Sequence, residues 1–181
     1  MMGANVICTA GTEEKRKYLR EVLGVEMVSD SRSTQFYDDV MFYTGGKGVD
    51  VVLNSLSGNL LTTSMKVLAP GGRFCEIGKR DILQNSNLPM NALLENKTFI
   101  SCQVDILMRQ NPEKVQRLMK KVVNLIETHK VQPVPTTVYT MDQMKEAFRF
   151  MSKGSHIGKI VFDVEAYTPL EIKPALQQFS S

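Results

Sequence analysis

The sequence predicts an α/β protein built on a parallel sheet, and three observations carry that expectation. Strand-like and helix-like patterns alternate through the first hundred residues. The breaks between them are short and rich in glycine. The clearest apolar run, Val49-Asp50-Val51-Val52-Leu53-Asn54, is nearly continuous, as in a parallel strand covered on both faces.

Asn5–Thr9 is a short β-rich run. Thr12 caps the helix after it, and Glu13 and Glu14 stand in the first turn, where the helix dipole favours acids. Tyr18, Leu19, Val22 and Leu23 give this helix one apolar face, and Gly24 stops it. Glu26–Val28 reads as a short strand. Ser33–Tyr43 reads as a second helix with Phe36 and Val40 inward, ended by Gly45-Gly46. After the strand Val49–Asn54, residues 58–68 place Leu61, Met65 and Leu68 at helical spacing, and Pro70-Gly71-Gly72 stops that helix. Arg73–Gly78 is the next strand. A short helix lies around Ala92–Leu94, and Thr98–Val104 is a further strand.

The second half changes character. Asn111 caps a helix with Pro112 at its first position, and the pattern runs to about His129. Val115, Leu118, Met119, Val122 and Ile126 form its apolar stripe; Lys114, Arg117, Lys120 and Lys121 face water. Pro133 and Pro135 mark a loop. Thr140-Met141-Asp142-Gln143 fits a capping box, whose helix buries Met144, Ala147, Phe148 and Met151. Gly158–Asp163 is a final strand, and residues 164–181 read as a linker or tail.

Composition excludes several classes. Charged residues are 23% of the 181, and the net charge of +3 is too mild to imply nucleic acid. No apolar run approaches the length of a membrane helix, and the first residues lack the pattern of a signal peptide. Cys8, Cys75 and Cys102 are an odd number, far apart; this argues against a disulfide scaffold or zinc finger and suits a reducing, cytoplasmic setting. With two histidines in the chain, no metal site is expected.

Three glycine clusters invite a phosphate: Gly45-Gly46-Lys47-Gly48, Gly71-Gly72 and Gly78-Lys79. None is a Walker loop, and none is Gly-x-Gly-x-x-Gly opening a helix, so turns explain the first two. Ligands of open parallel sheets bind beyond the carboxyl ends of the strands. That directs attention to Thr9–Lys15, Asn54–Gly58 and Gly78–Asp81. On residue pattern alone, two classes stay open: a nucleotide-dependent enzyme and a non-catalytic α/β domain.

At those strand ends the chain resembles a known family. Lys47–Leu56, Gly71–Asp81 with Gln84-Asn85, and His156–Val161 are similar to the nucleotide-binding region of enoyl reductases in reducing polyketide synthases and animal fatty acid synthases. These are zinc-free members of the medium-chain dehydrogenase/reductase superfamily, and the match leans to the polyketide side. It covers roughly residues 3–163.

The resemblance implies a truncated Rossmann-like, doubly wound parallel sheet whose first strand and Gly-rich loop are not in the chain, with a C-terminal helix–strand extension. Residues 1–110 would be the partial NADP-binding domain, and 111–163 the segment returning to the substrate domain. In a 3-2-1-4-5-6 sheet, the strand at 5–9 and the strand at 49–54 would flank the absent one. Either a gap or a rearranged sheet is expected there.

The implied activity is NADPH-dependent reduction of trans-2-enoyl thioesters on an acyl carrier protein. The remainder of a synthase chain would be a partner, a homodimer is compatible, and nucleic acid and membrane are not expected. This chain alone is expected to be inactive. A non-catalytic segment of a larger synthase, or a stand-alone quinone oxidoreductase-like protein, is the alternative.

Lys79 and Asp105 match the family's catalytic pair; a surface ion pair is the bland alternative. Lys15 matches its phosphate-binding lysine, and Thr12, Arg16 and Arg32 are added to the cofactor set. Asn54, Ser55, Leu56 and Gly78 would pass beside the ribose and nicotinamide, and Lys159 lies in the matching C-terminal segment.

Overall fold

The computed structural model describes residues 3–166. The chain divides into two compact units, the first ending at Val131 and the second beginning at Gln132. The expected division at residue 110 therefore falls inside the first unit, which retains the helix Pro112–Glu127. Of the expected linker, residues 167–181 lie outside the described residues.

The first unit opens with β1 (Ile7–Ala10), α1 (Glu13–Glu21), β2 (Met27–Asp30) and α2 (Phe36–Tyr43). β3 (Val49–Asn54), α3 (Asn59–Lys66) and β4 (Leu68–Glu76) follow. The short α4 (Arg80–Leu83), a 3-10 turn (Met90–Leu93), β5 (Thr98–Ser101), α5 (Val104–Gln110) and α6 (Pro112–Glu127) complete it. β1 and β2 pair in parallel, and β3, β4 and β5 form a second parallel sheet in that order. No ladder joins β1 to β3, so the sheet is open where the resemblance places a further strand.

Two element boundaries need correction. Pro70-Gly71-Gly72 does not end a helix: β4 runs through it, with a register irregularity opposite Val49–Val51 that absorbs the proline and the positive φ of Gly71. The strand expected over Thr98–Val104 stops at Ser101, and Val104 begins α5. Val104 is half exposed, so tertiary position overrides its β preference.

The core lies on one face of β3–β4–β5. Leu61, Met65, Leu68 and Phe74 form its centre, and Phe74 stacks on Phe99 at 5.4 Å. Phe36 and Val40 are buried with Val67 between α2 and the strands, as their helical spacing predicts. The opposite face is open: Val51, Leu53, Ile77 and Ile100 are exposed, Leu53 to 70%. The continuous apolar run in β3 is therefore covered on one face among the described residues, not on two. On the apolar face of α1, Tyr18 and Leu19 are partly buried and Val22 and Leu23 exposed, and Leu118, Met119 and Val122 of α6 are half exposed.

The second unit holds β6 (Thr136–Thr140), a capping-box turn (Met141–Gln143), α7 (Met144–Lys153) and β7 (Lys159–Asp163), with β6 and β7 parallel. Thr140 and Gln143 make the expected reciprocal box. Of the expected inward residues of α7, Ala147 is buried, while Phe148 and Met151 are about half exposed.

Candidate cofactor and catalytic site

β3, β4 and β5 run in parallel, so their carboxyl ends meet at one edge of the sheet. Backbone bonds continue the ladder past the strands: Ile77 N–H donates to the Asn54 carbonyl (2.9 Å) and Cys102 N–H to the Glu76 carbonyl (2.8 Å). The loops after the three strands are thereby brought side by side.

Lys79 follows β4, and Asp105 lies in the first turn of α5, just beyond β5. Lys79 Nζ stands 2.5 Å from Asp105 Oδ1, a direct contact tighter than the water-bridged spacing that neighbouring strand ends suggest. Their side chains are 41% and 49% exposed, and Arg109 approaches the other Asp105 oxygen at 3.6 Å. The hydrogen bond from Lys79 holds the Asp105 carboxyl below its ordinary range. Desolvation opposes this, and the Lys79 charge and the N–H groups of Ile106 and Asp105 reinforce it.

A cleft of about 190 Å³ adjoins Lys79, lined by Ser55, Leu56, Gly78, Arg80 and Asp81, with Glu76 on its buried side. Gly58 precedes α3 with φ of 60°, and its N–H donates to both Asp81 oxygens at 3.2 and 3.0 Å. Arg80 reaches Ser57 Oγ at 3.5 Å. Ser55 is exposed at the cleft. Asn54 is not: it is 3% exposed, and its amide donates to the Leu56 carbonyl (2.8 Å) and to Glu76 Oε2 (2.5 Å). Its side chain shapes the strand exit from within.

The cations at the ends of β1 and β2 are arranged differently. Thr12 Oγ1 accepts the Lys15 N–H and caps α1. Arg16 is committed to the Ala10 carbonyl (2.9 Å), Asp30 (3.3 Å) and Glu13 (2.9 Å), which ties α1 to both strand ends. Arg32 is exposed and lies against Gly11, and its backbone N–H donates to Asp30. Lys159 is exposed on β7 in the second unit.

Two polar residues that shape this edge, Glu76 and Asp81, lie in the matching segment Gly71–Asp81 but are not among the expected site residues. Glu76 shares the inward register of β4 with Gly72 and Phe74, and a charged residue in that register was the signal that could have found it. Asp81 bonds Gly58 across 23 positions, which no local pattern announces.

An open parallel sheet with polar groups gathered at its carboxyl edge defines a Rossmann-like nucleotide-binding fold. A model described as zinc-binding dehydrogenase matches residues 23–162. The nucleotide-binding subdomain of the enoylreductase domain of PpsC from Mycobacterium tuberculosis is 38% identical, with a TM-score of 0.66; the match covers 72% of this chain and 73% of that one. An enoyl reductase cyclopropanase of the curacin A pathway, CurF, is 30% identical with a TM-score of 0.78, over 89% of this chain and 48% of that one. A highly reducing polyketide synthase of Aspergillus terreus is 41% identical over 176 residues, which are 96% of this chain and 7% of that protein.

The chain belongs to the zinc-binding dehydrogenase family, among the polyketide synthase enoyl reductases. It spans less than a tenth of the length of the curated synthases it matches. Among the described residues no three His, Cys, Asp or Glu side chains gather as a metal site, so these residues do not fit the zinc in the family's description, and no step is derived through one. No helix among them is long and apolar enough to cross a membrane.

Proposed function

We propose that this chain is part of an NADPH-dependent enoyl reductase that reduces trans-2-enoyl thioesters on an acyl carrier protein during polyketide synthesis. The rest of a synthase chain, in the cytoplasm, is its context. The observation that carries the reading is the Lys79–Asp105 pair at 2.5 Å beside a cleft at the ligand edge of the sheet.

The β1–β2 end fits a nucleotide. The tip of β1 is Ala10-Gly11-Thr12, without an acid, and Asp30 beside it is engaged by Arg16. Thr12, Lys15 and Arg32 would hold the 2′-phosphate; Ser55, Leu56 and Gly78 would border the ribose and nicotinamide. When bound, that cofactor supplies hydride to the β-carbon of the enoyl thioester. The Lys79 ammonium then delivers the proton taken up at the α-carbon, directly or through a held water, and Asp105 keeps it aimed.

The test uses the complete protein, an enoyl thioester and NADPH, followed by loss of NADPH absorbance. Lys79→Ala and Asp105→Ala each lower kcat by about 10²–10⁴-fold with little change in the KM for NADPH. Near-normal kcat in both would make the pair an ordinary surface contact, with the proton supplied by water or by another part of the complete protein.

A further inference from the structure

We infer that Glu76 is a positioning residue of this site: from inside the protein it sets the loop that presents Lys79. The inference rests on the proposed function for its kinetic readout alone; its structural readout is independent.

Glu76 is the last residue of β4 and is 2% exposed. No cation is among its partners in the described structure. Oε1 accepts the Gly78 N–H at 2.5 Å, and Oε2 accepts the Asn54 amide at 2.5 Å. Both oxygens face donors, an arrangement that an acceptor-only carboxylate satisfies. The same residue's carbonyl accepts Cys102 N–H at the end of β5. One residue therefore touches all three strand exits: the one leading to Ser55, the one leading to Lys79, and the one leading to Asp105.

The glycine at 78 belongs to this device. A Cβ there would stand 2.6 Å from Glu76 Oε1 and 3.4 Å from the Ser55 carbonyl. Only a residue without a side chain lets the carboxylate reach back to the N–H of the second residue after it. Lys79 follows immediately, so its backbone position is set by the Glu76–Gly78 bond. Burying a carboxylate without a cation is expensive, and a strand needing stability alone is served by an apolar residue at this register. Retaining it is consistent with a role in fixing geometry.

Two substitutions and their combination test this in the complete protein. Glu76→Gln replaces one acceptor by an NH₂ group, which must confront either the Gly78 N–H or the Asn54 amide. Asn54→Asp sets two carboxylates against each other. In the double variant the amide introduced on β4 donates to the carboxylate introduced on β3 and its oxygen still accepts from Gly78, at the cost of the donor that the Leu56 carbonyl has in Asn54. We expect crystal structures of the single variants to lose the Lys79–Asp105 contact and the double variant to regain it. In enoyl thioester reduction, kcat falls about tenfold or more in each single variant, with the KM for NADPH within about threefold, and recovers in the double.

A Glu76→Gln protein that keeps the ion pair and its kcat overturns the inference. So does a Glu76→Gln protein whose kcat falls while Lys79 keeps its contact with Asp105, since that places the loss elsewhere. If Glu76→Gln does not fold, Gly78→Ala sets a Cβ 2.6 Å from Glu76 Oε1 and so breaks the Glu76–Gly78 bond directly. It must then lower kcat and displace Lys79, and an unmoved Lys79 refutes the role. If the unaltered complete protein reduces no enoyl thioester, the proposed function falls, and the crystallographic distance alone decides the role of Glu76.

Discussion

The two strand-end regions of the first unit hold similar polar side chains on different foundations. At the ends of β3, β4 and β5 exposed contacts stand on a buried pair: Asn54 and Glu76 are buried, and the Gly58–Asp81 bonds and the Lys79–Asp105 contact lie at the surface above them. At the ends of β1 and β2 they stay close to one helix: Thr12 caps α1, and Arg16, 19% exposed, bridges the more exposed Glu13 and Asp30 and the Ala10 carbonyl. Buried polar bonds are costly to break and hold position; exposed ion pairs contribute about 0–1 kcal/mol and rearrange. The first arrangement suits chemistry that needs fixed geometry, and the second suits holding a charged group.

The largest expected effect concerns whether the region at β3–β5 acts as one unit. Lys79→Ala combined with Asp105→Ala should cost no more in kcat than the worse single variant, because residues acting together are non-additive. Two full, multiplying losses would mean that they serve separate steps.

A pair of glycines sharpens the contrast next. Alanine at 78 meets a buried, doubly bonded carboxylate at 2.6 Å, and should destabilise by about 1–3 kcal/mol in chemical denaturation. Alanine at 11 meets Arg32 Nε at 2.9 Å, but that side chain is exposed and can swing away, so the loss should stay below about 1 kcal/mol. Equal losses would erase the distinction between the two regions.

Cofactor choice probes the region at β1 and β2. In the complete protein, Lys15→Glu should weaken NADPH binding about tenfold or more while sparing NADH, since a charge-assisted contact to the 2′-phosphate is lost. Arg16→Ala should destabilise by about 1–3 kcal/mol, because the mostly buried side chain also holds the Ala10 carbonyl, yet leave the preference between the two cofactors unchanged, because Asp30 already engages that guanidinium. Calorimetric titration with both nucleotides separates these outcomes.

The smallest effect is a titration. The Asp105 carboxyl is held below its ordinary range chiefly by Lys79, so its contribution is present above the unfolded aspartate pKa. That contribution is lost only as pH falls through the lower, folded value. Carboxyl carbon resonances should show Asp105 titrating below ordinary aspartates, and Lys79→Ala should bring it back toward them.

Most elements were legible in the sequence because local signals and final structure agree. Thr12 caps α1, Pro112 opens α6, and Phe36 and Val40 point inward at helical spacing. β4 was misread at Pro70-Gly71-Gly72 because turn chemistry is local, whereas a register shift against β3 is not. The expected strand Thr98–Val104 is shorter because Val104, despite its β preference, opens α5.

Periodicity, caps and glycine breaks act over a few residues, so the α/β alternation, the parallel sheet and the strand ends of the candidate site were legible in the sequence. The family resemblance singled out Lys79 and Asp105 at those ends. Tertiary structure alone decided that the two side chains touch, that Arg16 is engaged by Asp30, and that Asn54 turns inward to a buried Glu76. Those facts depend on which strands lie side by side. A hydrogen bond between residues 22 positions apart, such as that from Asn54 to Glu76, exists only once the strands carrying them have paired.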